Sequence, residues 1–497
     1  MKSGVKTIKA KRYTILPALL IVVFQITGCS LSVKEPNVIM IVCDQLSPRA
    51  MGWTGDTEVI TPNLDQFSDA AYCFTNAYCT SPIRGPARHS LYTGVYPSQH
   101  WVLKNNMNMK EDLPTIISML NKHNYTTGNI GEMQSALHHE FMVDHGGRSA
   151  YKSYLQSELE KRDLDYKPYE YLLDDKNGWQ ERDSLAFANS LPEELTLGQW
   201  TTNEALKFMD KLQEDPSDNP FFLHVSYTSP KKPYAPVEKY ADRYLDKMEE
   251  LKLPPNFSFE ELEKWSKGNQ DSPDSLSIED VKYLRAMYFG YVTQLDVALG
   301  ELFKGIKERG LMENTIIVFT ADHGENLGEH GRFNGLNMLE ASVGVPLMIK
   351  FPGKDLAERS IIDDNVSHVD VVTTLLKAVG LAPSESMAGK DLRPLIEGKE
   401  DWTDRAVYAE FYKYQVNPSQ LMLRKGDYKL TYNIENGDGM FEMRLYNIKE
   451  DPWEQRDLYN SGEHGVLMMN MSDELMNDYY KKIFKTLPKE DLNSTNN

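Results

Sequence analysis

Two stretches of strand length, residues 37–43 and 315–320, are apolar except for polar residues at their ends. Runs of this kind are typical of central strands in a parallel sheet, which are covered on both faces. Residues 126–130 and 221–227 are predicted to form further strands. The pattern therefore predicts a buried parallel sheet.

Segments with helical spacing lie between these strands. Residues 280–309 have helical periodicity, interrupted by two glycines, and residues 112–122 are amphipathic. Another helix is predicted to begin at Pro62, because proline is favoured at the first helical position. This alternation predicts an α/β fold over residues 36–400, in which a doubly wound, mostly parallel sheet is flanked by helices.

The remaining segments depart from this alternation. Residues 153–198 and 256–277 are charged and lack a clear period, which predicts surface insertions near the site. Residues 401–488 are predicted to form a smaller antiparallel α+β subdomain, because short strands there are separated by turn residues. Those strands are 407–412, 421–424 and 428–432. Residues 489–497 are predicted to be a flexible tail.

The first 28 residues have the pattern of an export signal. Five basic side chains and no acidic one precede an apolar run over about residues 15–26, which is too short to span a bilayer. The following Ile-Thr-Gly-Cys resembles a bacterial lipobox, in which the cysteine, here Cys29, is lipidated. We predict a lipoprotein signal peptide at 1–28 and an exported protein anchored to the periplasmic or outer-membrane surface by acyl chains alone. An ordinary secretion signal with an incidental cysteine is the alternative.

Charge and cysteine content limit the partners and the covalent links. The formal net charge is −19, and it becomes −24 once the five basic residues of the signal are removed. So acidic a protein is a poor binder of nucleic acid, which requires a basic surface. Cys43, Cys73 and Cys79 remain, and an odd number allows at most one internal bridge. Cys43 lies in an apolar strand and is interpreted as a packed thiol, and nothing in the sequence supports the remaining pair of Cys73 and Cys79. The sequence does not indicate an oligomeric state.

Residues 81–97 read SPIRGPARHSLYTGVYP. This stretch resembles the sulfatase signature, in which Cys or Ser is followed by any residue, Pro, any residue and Arg, and later by Leu and Thr-Gly. In that family the first position is oxidised to formylglycine, whose hydrated form attacks the sulfate ester. Here Arg84 occupies this nucleophile position. The other signature positions are in register: Pro86, Arg88, Leu91, Thr93 and Gly94.

Further segments extend the resemblance over nearly the whole mature chain. They are residues 37–44, 61–65, 319–331, 367–370 and 445–454. The chain is therefore identified as a member of the arylsulfatase-like family in the alkaline phosphatase superfamily, and that family's fold is expected. The resemblance implies a sulfuric ester hydrolase, with a sulfated glycan or an aryl sulfate as substrate.

The resemblance also implies one divalent cation, calcium or magnesium, between two strand ends. Asp44 and Asp322 would supply the hard carboxylate ligands. Gln45 stands where many members have a second aspartate, and His323 follows Asp322 as in one branch of the family. A helix-capping role for Asp44 is the weaker alternative.

Arg84 would point toward the expected cation. A guanidinium and a divalent ion a few ångström apart repel each other strongly. We therefore expect Arg84 to replace the metal by pairing with Asp44 or Asp322, which makes occupancy of the metal site doubtful.

A second register of the signature places the nucleophile at Thr80. The sequence TSPIR at residues 80–84 also fits a nucleophile, any residue, Pro, any residue and Arg. A helix beginning near Ser81 would then have Pro86 in its interior, where proline breaks the hydrogen-bond ladder. A helix beginning at Arg84 has Pro86 in its first turn, so we favour the register with Arg84 as the nucleophile position.

The groups that surround the nucleophile in sulfatases are largely replaced. The replacements are Glu132 and Gln134 for a lysine and a histidine, Lys231 for a sulfate-contacting histidine, and Gly335 for a second lysine. Arg88 is retained. In sulfatases these groups stabilise developing charge and transfer protons. His138 and His139 could offer a substitute acid, but surface histidines are the better interpretation.

The sequence therefore predicts a sulfatase-family protein that is catalytically impaired or inactive. It could be retained to bind an anionic glycan through Lys231 and Arg88, whose positive charge Glu132 partly cancels. Two alternatives stay open. One is an active hydrolase of sulfate or phosphate esters that uses Thr80 or another nucleophile, and the other is a structural or partner-binding role with the pocket closed by an ion pair of Arg84.

Overall fold

The computed structural model describes residues 34–133, 136–164, 166, 185–268, 275–353, 360–412, 419–434 and 441–481. Gln134, the predicted signal with Cys29, and the predicted tail at 489–497 lie outside these residues. Contacts divide the chain into Met1–Lys34 and Glu35–Asn497, and every described strand and helix belongs to the second unit. No helix among the described residues is long and apolar enough to cross a bilayer.

The described secondary structure alternates between strands and helices. The strands are β1 (Asn37–Asp44), β2 (Tyr72–Phe74), β3 (Ala77–Tyr78), β4 (Thr126–Gly131), β5 (Val143–Gly146), β6 (Phe221–Pro230), β7 (Thr315–Ala321), β8 (Leu347–Lys350), β9 (Ser360–Ile362), β10 (Val366–Ser367), β11 (Ala406–Phe411), β12 (Gln420–Lys425), β13 (Tyr428–Ile434) and β14 (Phe441–Asn447). The α-helices are α1 (Pro62–Asp69), α2 (Arg84–Thr93), α3 (Pro97–His100), α4 (Ile116–Asn121), α5 (Arg148–Arg162), α6 (Leu197–Glu214), α7 (Glu238–Leu245), α8 (Phe259–Gly268), α9 (Ile278–Glu308), α10 (Glu340–Val343), α11 (His368–Ala378), α12 (Arg393–Ile396) and α13 (Gly465–Asp473).

The central sheet has eight strands in the order β5-β4-β6-β1-β7-β8-β2-β9. Only β8 runs antiparallel to its neighbours among these strands. Every residue of β1 is buried, because the strand lies in the middle of a sheet with both faces covered. The predicted α/β fold with a mostly parallel sheet is confirmed.

Helix α9 continues through both glycines that interrupt its sequence pattern. A Cβ at Gly290 would lie 2.8 Å from the carbonyl oxygen of Tyr240 in α7, and one at Gly300 would lie 2.4 Å from the side chain of Asn63 in α1. The glycines therefore allow neighbouring helices to approach closely. The helix predicted at 112–122 is shorter than expected, because Thr115 caps its start by accepting from the N–H of Ser118 at 3.0 Å.

Both segments predicted as insertions without a clear period contain helices. Helix α5 overlaps the first segment, and α8 lies within the second. Tyr151 and Leu155 of α5 are buried in a small apolar cluster with Trp200. The sequence signal is weak because only this narrow face of α5 is apolar.

The C-terminal part contains the predicted antiparallel sheet, with strand order β11-β12-β13-β14. Helix α13 covers it, since Met471 belongs to the same buried cluster as Leu421 and Leu430. The fully buried Lys429 of β13 pairs with Glu340 of helix α10 at 2.9 Å, which links this sheet to the preceding part of the chain, and with Glu454, which follows β14, at 2.6 Å. The predicted boundary between residues 400 and 401 remains a prediction.

The candidate site around Arg84

Helix α2 begins at Arg84, after the extended residue Ile83. Pro86 therefore lies in the first turn, where its missing N–H removes no intrahelical bond. Gly94 ends the helix with a φ of 68°, and its N–H donates to the carbonyl of Ser90 at 2.9 Å. The helix thus has the start that was predicted from Pro86.

Two carboxylates meet where β1 and β7 end. Asp44 is the last residue of β1, and Asp322 directly follows β7. The pairing of Cys43 with Ala321 brings the two aspartates to the same edge of the sheet, where open α/β sheets bind ligands. Together with His323 they offer three buried ligand atoms that lie within 4.8 Å of one another.

Gln45 connects this pair to a third carboxylate. Its backbone has a φ of 65°, its N–H donates to Oδ1 of Asp322 at 3.0 Å, and its side-chain amide donates to Glu325. Glu325 is fully buried, and burial raises its pKa. The N–H of His323 also donates to Oδ1 of Asp322, at 2.9 Å. Gln45 and His323 thus both hold Asp322 through their backbone.

Arg84 forms a buried ion pair with Asp44. Its Nη1 lies 2.8 Å from Oδ2 of Asp44 and 3.3 Å from Oε1 of Glu132. The side chain of Arg84 is only 6 % exposed and that of Asp44 only 1 %. The side chain of Arg84, at the predicted nucleophile position, therefore points into the protein and toward the predicted metal ligands.

Arg88 holds the other aspartate. Its Nε lies 2.9 Å from Oδ2 of Asp322, and its Nη1 donates to the carbonyl of Glu132 at 2.9 Å and to Oγ of Ser226 at 2.7 Å. Burial alone would raise the pKa of Asp322, but the positive charge of Arg88 lowers it below its ordinary value. Each aspartate of the pair therefore has its own arginine.

Glu132, which follows β4, bridges Arg84 to a third arginine. Its Oε2 lies 3.3 Å from Nε of Arg148 and accepts a hydrogen bond from Thr228 at 3.4 Å. Burial by itself raises the pKa of Glu132, but Arg84 and Arg148 outweigh burial and lower it. Glu132 is therefore an ionised carboxylate at neutral pH.

Lys231 lies next to this network, just after β6, and is half-buried. Its charge interacts favourably with Asp44 and Glu132 and unfavourably with Arg84 and Arg148. Burial is the main cause of its lowered pKa, and Asp44 opposes that shift. We call the seven residues Asp44, Arg84, Arg88, Glu132, Arg148, Lys231 and Asp322 the Arg84 site.

Models of two known families match the chain, and the first of them spans every residue of the Arg84 site. The model described as "Sulfatase" matches residues 36–381, and the model described as "N-sulphoglucosamine sulphohydrolase, C-terminal" matches residues 328–481. The chain belongs to the sulfatase family. This family generally binds a divalent metal, and Asp44, Asp322 and His323 form the candidate cluster for it here.

Individual relatives match over most of their length. The ulvan-active sulfatase of Formosa agariphila is 27 % identical over 94 % of this chain and 87 % of its own. The crystal structure of a phosphonate monoester hydrolase from Agrobacterium radiobacter has a TM-score of 0.76 at 20 % identity, over 90 % of this chain and 96 % of that one. A structure solved with its substrate D-glucosamine-2-N,6-O-disulfate has a TM-score of 0.70 at 21 % identity, over 91 % and 98 % of the two chains. The structural similarities show that this sulfatase-family chain shares their fold.

Other predicted residues lie away from the Arg84 site or outside the described chain. The hydroxyl of Thr80 is buried and donates to Oγ of Ser90 at 2.7 Å. Nδ1 of His138 lies 3.3 Å from Asp144, and His139 is exposed. Gln134 lies outside the described residues. Cys43, Cys73 and Cys79 are buried thiols, so no disulfide joins Cys73 to Cys79 in the part of the chain that the structure describes.

Sequence reasoning missed three residues of this sulfatase-family site and its surroundings. Ser226 and Thr228 lie near the end of β6, and their position at the carboxyl edge of a predicted strand could have identified them. Arg148 is the first residue of α5, next to a segment whose pattern was too weak to predict a helix. No sequence signal connected Arg148 with Glu132.

Proposed function

We propose that this sulfatase-family protein has lost ester hydrolysis and binds a sulfated or otherwise anionic glycan at the Arg84 site. The observation that carries the proposal is the buried guanidinium of Arg84 at the nucleophile position, 2.8 Å from Asp44. Arginine stays protonated in proteins and cannot attack sulfur.

Neighbouring groups do not take over the missing roles. The hydroxyl of Thr80 donates a hydrogen bond to Ser90 in the protein interior, and burial raises the pKa of the Cys79 thiol, which therefore stays protonated. Glu132 is ionised, so it has no proton to give to a leaving group. Loss of the nucleophile is thus accompanied by loss of a proton donor where sulfatases have a lysine.

The donor set does not fit a divalent cation beside Arg84. Oδ2 of Asp44, which would have to bind the ion, already binds the guanidinium of Arg84. At an effective dielectric constant of about 20, a divalent ion ~4 Å from a guanidinium is repelled by about 8 kcal/mol. We propose that the guanidinium of Arg84 takes the place of the metal ion as the counter-charge of Asp44.

Charge and similarity support a sulfated ligand. The ammonium of Lys231 makes no hydrogen bond or ion pair with a described residue, so it is available to an anion. Relatives act on such ligands: one is named an ulvan-active sulfatase, and a solved relative holds D-glucosamine-2-N,6-O-disulfate as its substrate. Charge-assisted hydrogen bonds from lysine and arginine suit sulfate oxygens.

Hydrolysis assays and glycan binding test this function. The purified mature chain should give no turnover of aryl sulfate, aryl phosphate or aryl phosphonate esters above a heat-inactivated sample. It should bind sulfated oligosaccharides on a glycan array, and Lys231→Ala should weaken binding about tenfold or more, since a charge-assisted bond contributes about 1.5–3 kcal/mol. Lys239→Ala, at an exposed lysine paired with Glu193, is the matched control and should bind normally. Ester turnover that Thr80→Val abolishes would refute the proposal.

We propose that the mature protein is exported and held at a membrane surface by a lipid on Cys29, without binding nucleic acid. Expressed in a bacterial host with residues 1–28 present, the protein should incorporate labelled palmitate and fractionate with membranes. Cys29→Ser should abolish both, because one acyl-bearing residue is the whole anchor. Cys43→Ser is the control and should keep the label, since Cys43 is buried in β1. Unchanged labelling of Cys29→Ser would contradict the prediction.

A further inference from the structure

Arg148 differs from the other two arginines of the Arg84 site. Arg84 and Arg88 are almost completely buried, whereas the side chain of Arg148 is 32 % exposed. Its Nε reaches Glu132 at the long distance of 3.3 Å, and its two Nη groups donate to no described residue. The guanidinium of Arg148 therefore keeps most of its hydrogen-bond donors available.

Glu132 balances the charge of Arg148 but leaves its guanidinium accessible to solvent. One carboxylate oxygen binds Arg84, and the other is shared between Arg148 and the hydroxyl of Thr228. The bond to Arg84 is buried, but the bond to Arg148 lies at the exposed side of the network. An anion that reaches Arg148 can therefore replace Glu132 there while Arg84 still holds Glu132 in place.

The charges of the site set the charge of the ligand it accepts. Three arginines face three carboxylates, and Lys231 adds one positive charge. Glu325 is not counted, because its hydrogen bonds come from Gln45 and from the N–H groups of Leu327 and Asn334, which are not residues of the Arg84 site. One excess positive charge suits a monoanion, and the fixed negative charge of Glu132 opposes a second charge on the ligand.

We propose that Arg148 and Lys231 together bind the sulfate group of the ligand, which displaces Glu132 from Arg148, and that Glu132 selects monoanionic sulfate esters over dianionic phosphate esters. This assignment rests on the proposed function, since it concerns the same ligand. It adds two roles that the sequence does not indicate. Arg148 binds the ligand, and Glu132 determines which ligand charge the site accepts.

Calorimetric titration of the mature chain with D-glucosamine 6-sulfate and D-glucosamine 6-phosphate tests the assignment. At pH 8 the phosphate ester is a dianion, because its second pKa is about 6. We expect the sulfate ester to bind at least about fivefold more tightly than the phosphate ester. Glu132→Gln should strengthen binding of the phosphate ester about tenfold and reduce or reverse this preference, as expected for removing one repulsive charge.

Arg148→Ala should weaken binding of the sulfate ester about tenfold, and Arg148→Lys should give an intermediate affinity because it keeps the charge but not the planar fork. Arg162→Ala is the matched control for Arg148, because it removes the same charge from the other end of α5 at a similar exposure of 38 %. Glu194→Gln, at an exposed partner of Arg162, is the matched control for Glu132. Both controls should bind the two sugars with the same affinities as the unaltered chain. A melting temperature equal to that of the unaltered chain would show that a variant is folded.

The outcomes separate this assignment from the proposed function. If the unaltered chain binds the sulfate ester through Lys231, but Arg148→Ala binds equally well and Glu132→Gln keeps the same preference, the assignment is wrong and the proposed function stands. If neither the unaltered chain nor Glu132→Gln binds either sugar, both are wrong. If only Glu132→Gln binds, Glu132 is the expected counter-ion, and the native chain lacks the glycan binding proposed for it.

Discussion

Replacing Arg84 with alanine should destabilise the protein strongly in a chelator and make it respond to calcium. The variant leaves Asp44 and Glu132 without their shared arginine in a buried site. Removing one partner of a buried ion pair costs about 3–5 kcal/mol, because the remaining charge is left uncompensated. Without the guanidinium, Asp44, Asp322 and His323 regain a free position for a divalent ion. Calcium at 100 times its dissociation constant should then restore about 2.7 kcal/mol.

Urea unfolding in chelator and in calcium measures both effects. The unaltered chain should have the same free energy of unfolding in both solutions, and the variant should have two different values. Arg309→Ala is the control, since it removes an arginine from a surface pair with Asp210. Exposed pairs contribute at most about 1 kcal/mol, and this control should not respond to calcium. One tightly bound calcium ion per unaltered chain, measured by metal analysis, would show that Arg84 does not replace the metal.

The arrangement at Arg84 shows how far a sequence can specify a site. The α/β fold followed from continuous apolar runs, which in a globular chain of this kind have few interpretations other than buried strands. Pro86 fixed the start of α2, because proline is tolerated in the first turn and not in the interior. Asp44 and Asp322 could be placed together, because parallel strands end at the same edge of a sheet.

The partner of Arg84 could not be predicted from the same information. Both aspartates were candidates, and the outcome depends on Arg88, one helical turn later on α2. Arg88 takes Asp322 with its Nε, which leaves Asp44 for Arg84. The pairing is thus decided by the direction in which one helix presents two arginines, and this direction depends on how α2 packs against the sheet.

The helix that supplies Arg148 was missed for a related reason. Its buried face consists of Tyr151 and Leu155, which pack against Trp200. Only these two of its fifteen residues are buried, and most of the others are polar or charged, so the segment resembles a charged surface loop. The glycines of α9 show the converse case, in which an apparent interruption reflects close contact with a neighbouring helix.

Restoring the nucleophile alone should not restore hydrolysis. Arg84→Cys recreates the sulfatase signature, because Pro86 and Arg88 are already in register, so a formylglycine-generating enzyme should convert the new cysteine. The aldehyde would then lie beside the ionised carboxylate of Glu132, the residue predicted to replace a cationic lysine of sulfatases. A negative charge there opposes both binding and the charge that develops on the sulfate oxygens.

The expected reduction in the rate of hydrolysis follows from the catalytic groups that the site lacks. A positioned acid contributes about 10²–10⁴-fold to a rate, and one oxyanion-stabilising donor contributes about 10²–10³-fold. Loss of both should leave the matured Arg84→Cys variant at least about 10⁴-fold below a complete sulfatase. The measurement is release of nitrophenol from p-nitrophenyl sulfate, with mass spectrometry of the peptide to verify that the aldehyde has formed.

A variant with more of the site restored provides the matched comparison. Arg84→Cys combined with Glu132→Lys, Gln134→His and Lys231→His should exceed Arg84→Cys alone by about 10²-fold or more, because it returns a cation and proton donors to the site. Gly335→Lys is left out, since a Cβ there would lie 3.2 Å from Nδ1 of His323, from the carbonyl of Pro82 and from Oγ of Ser342. Turnover by Arg84→Cys alone within tenfold of an active arylsulfatase would show that Glu132 and Lys231 are compatible with hydrolysis. In that case the substitution at Arg84 alone would account for the predicted loss of hydrolysis. The site inferred to bind a glycan would instead be a catalytic site that lacks only its nucleophile.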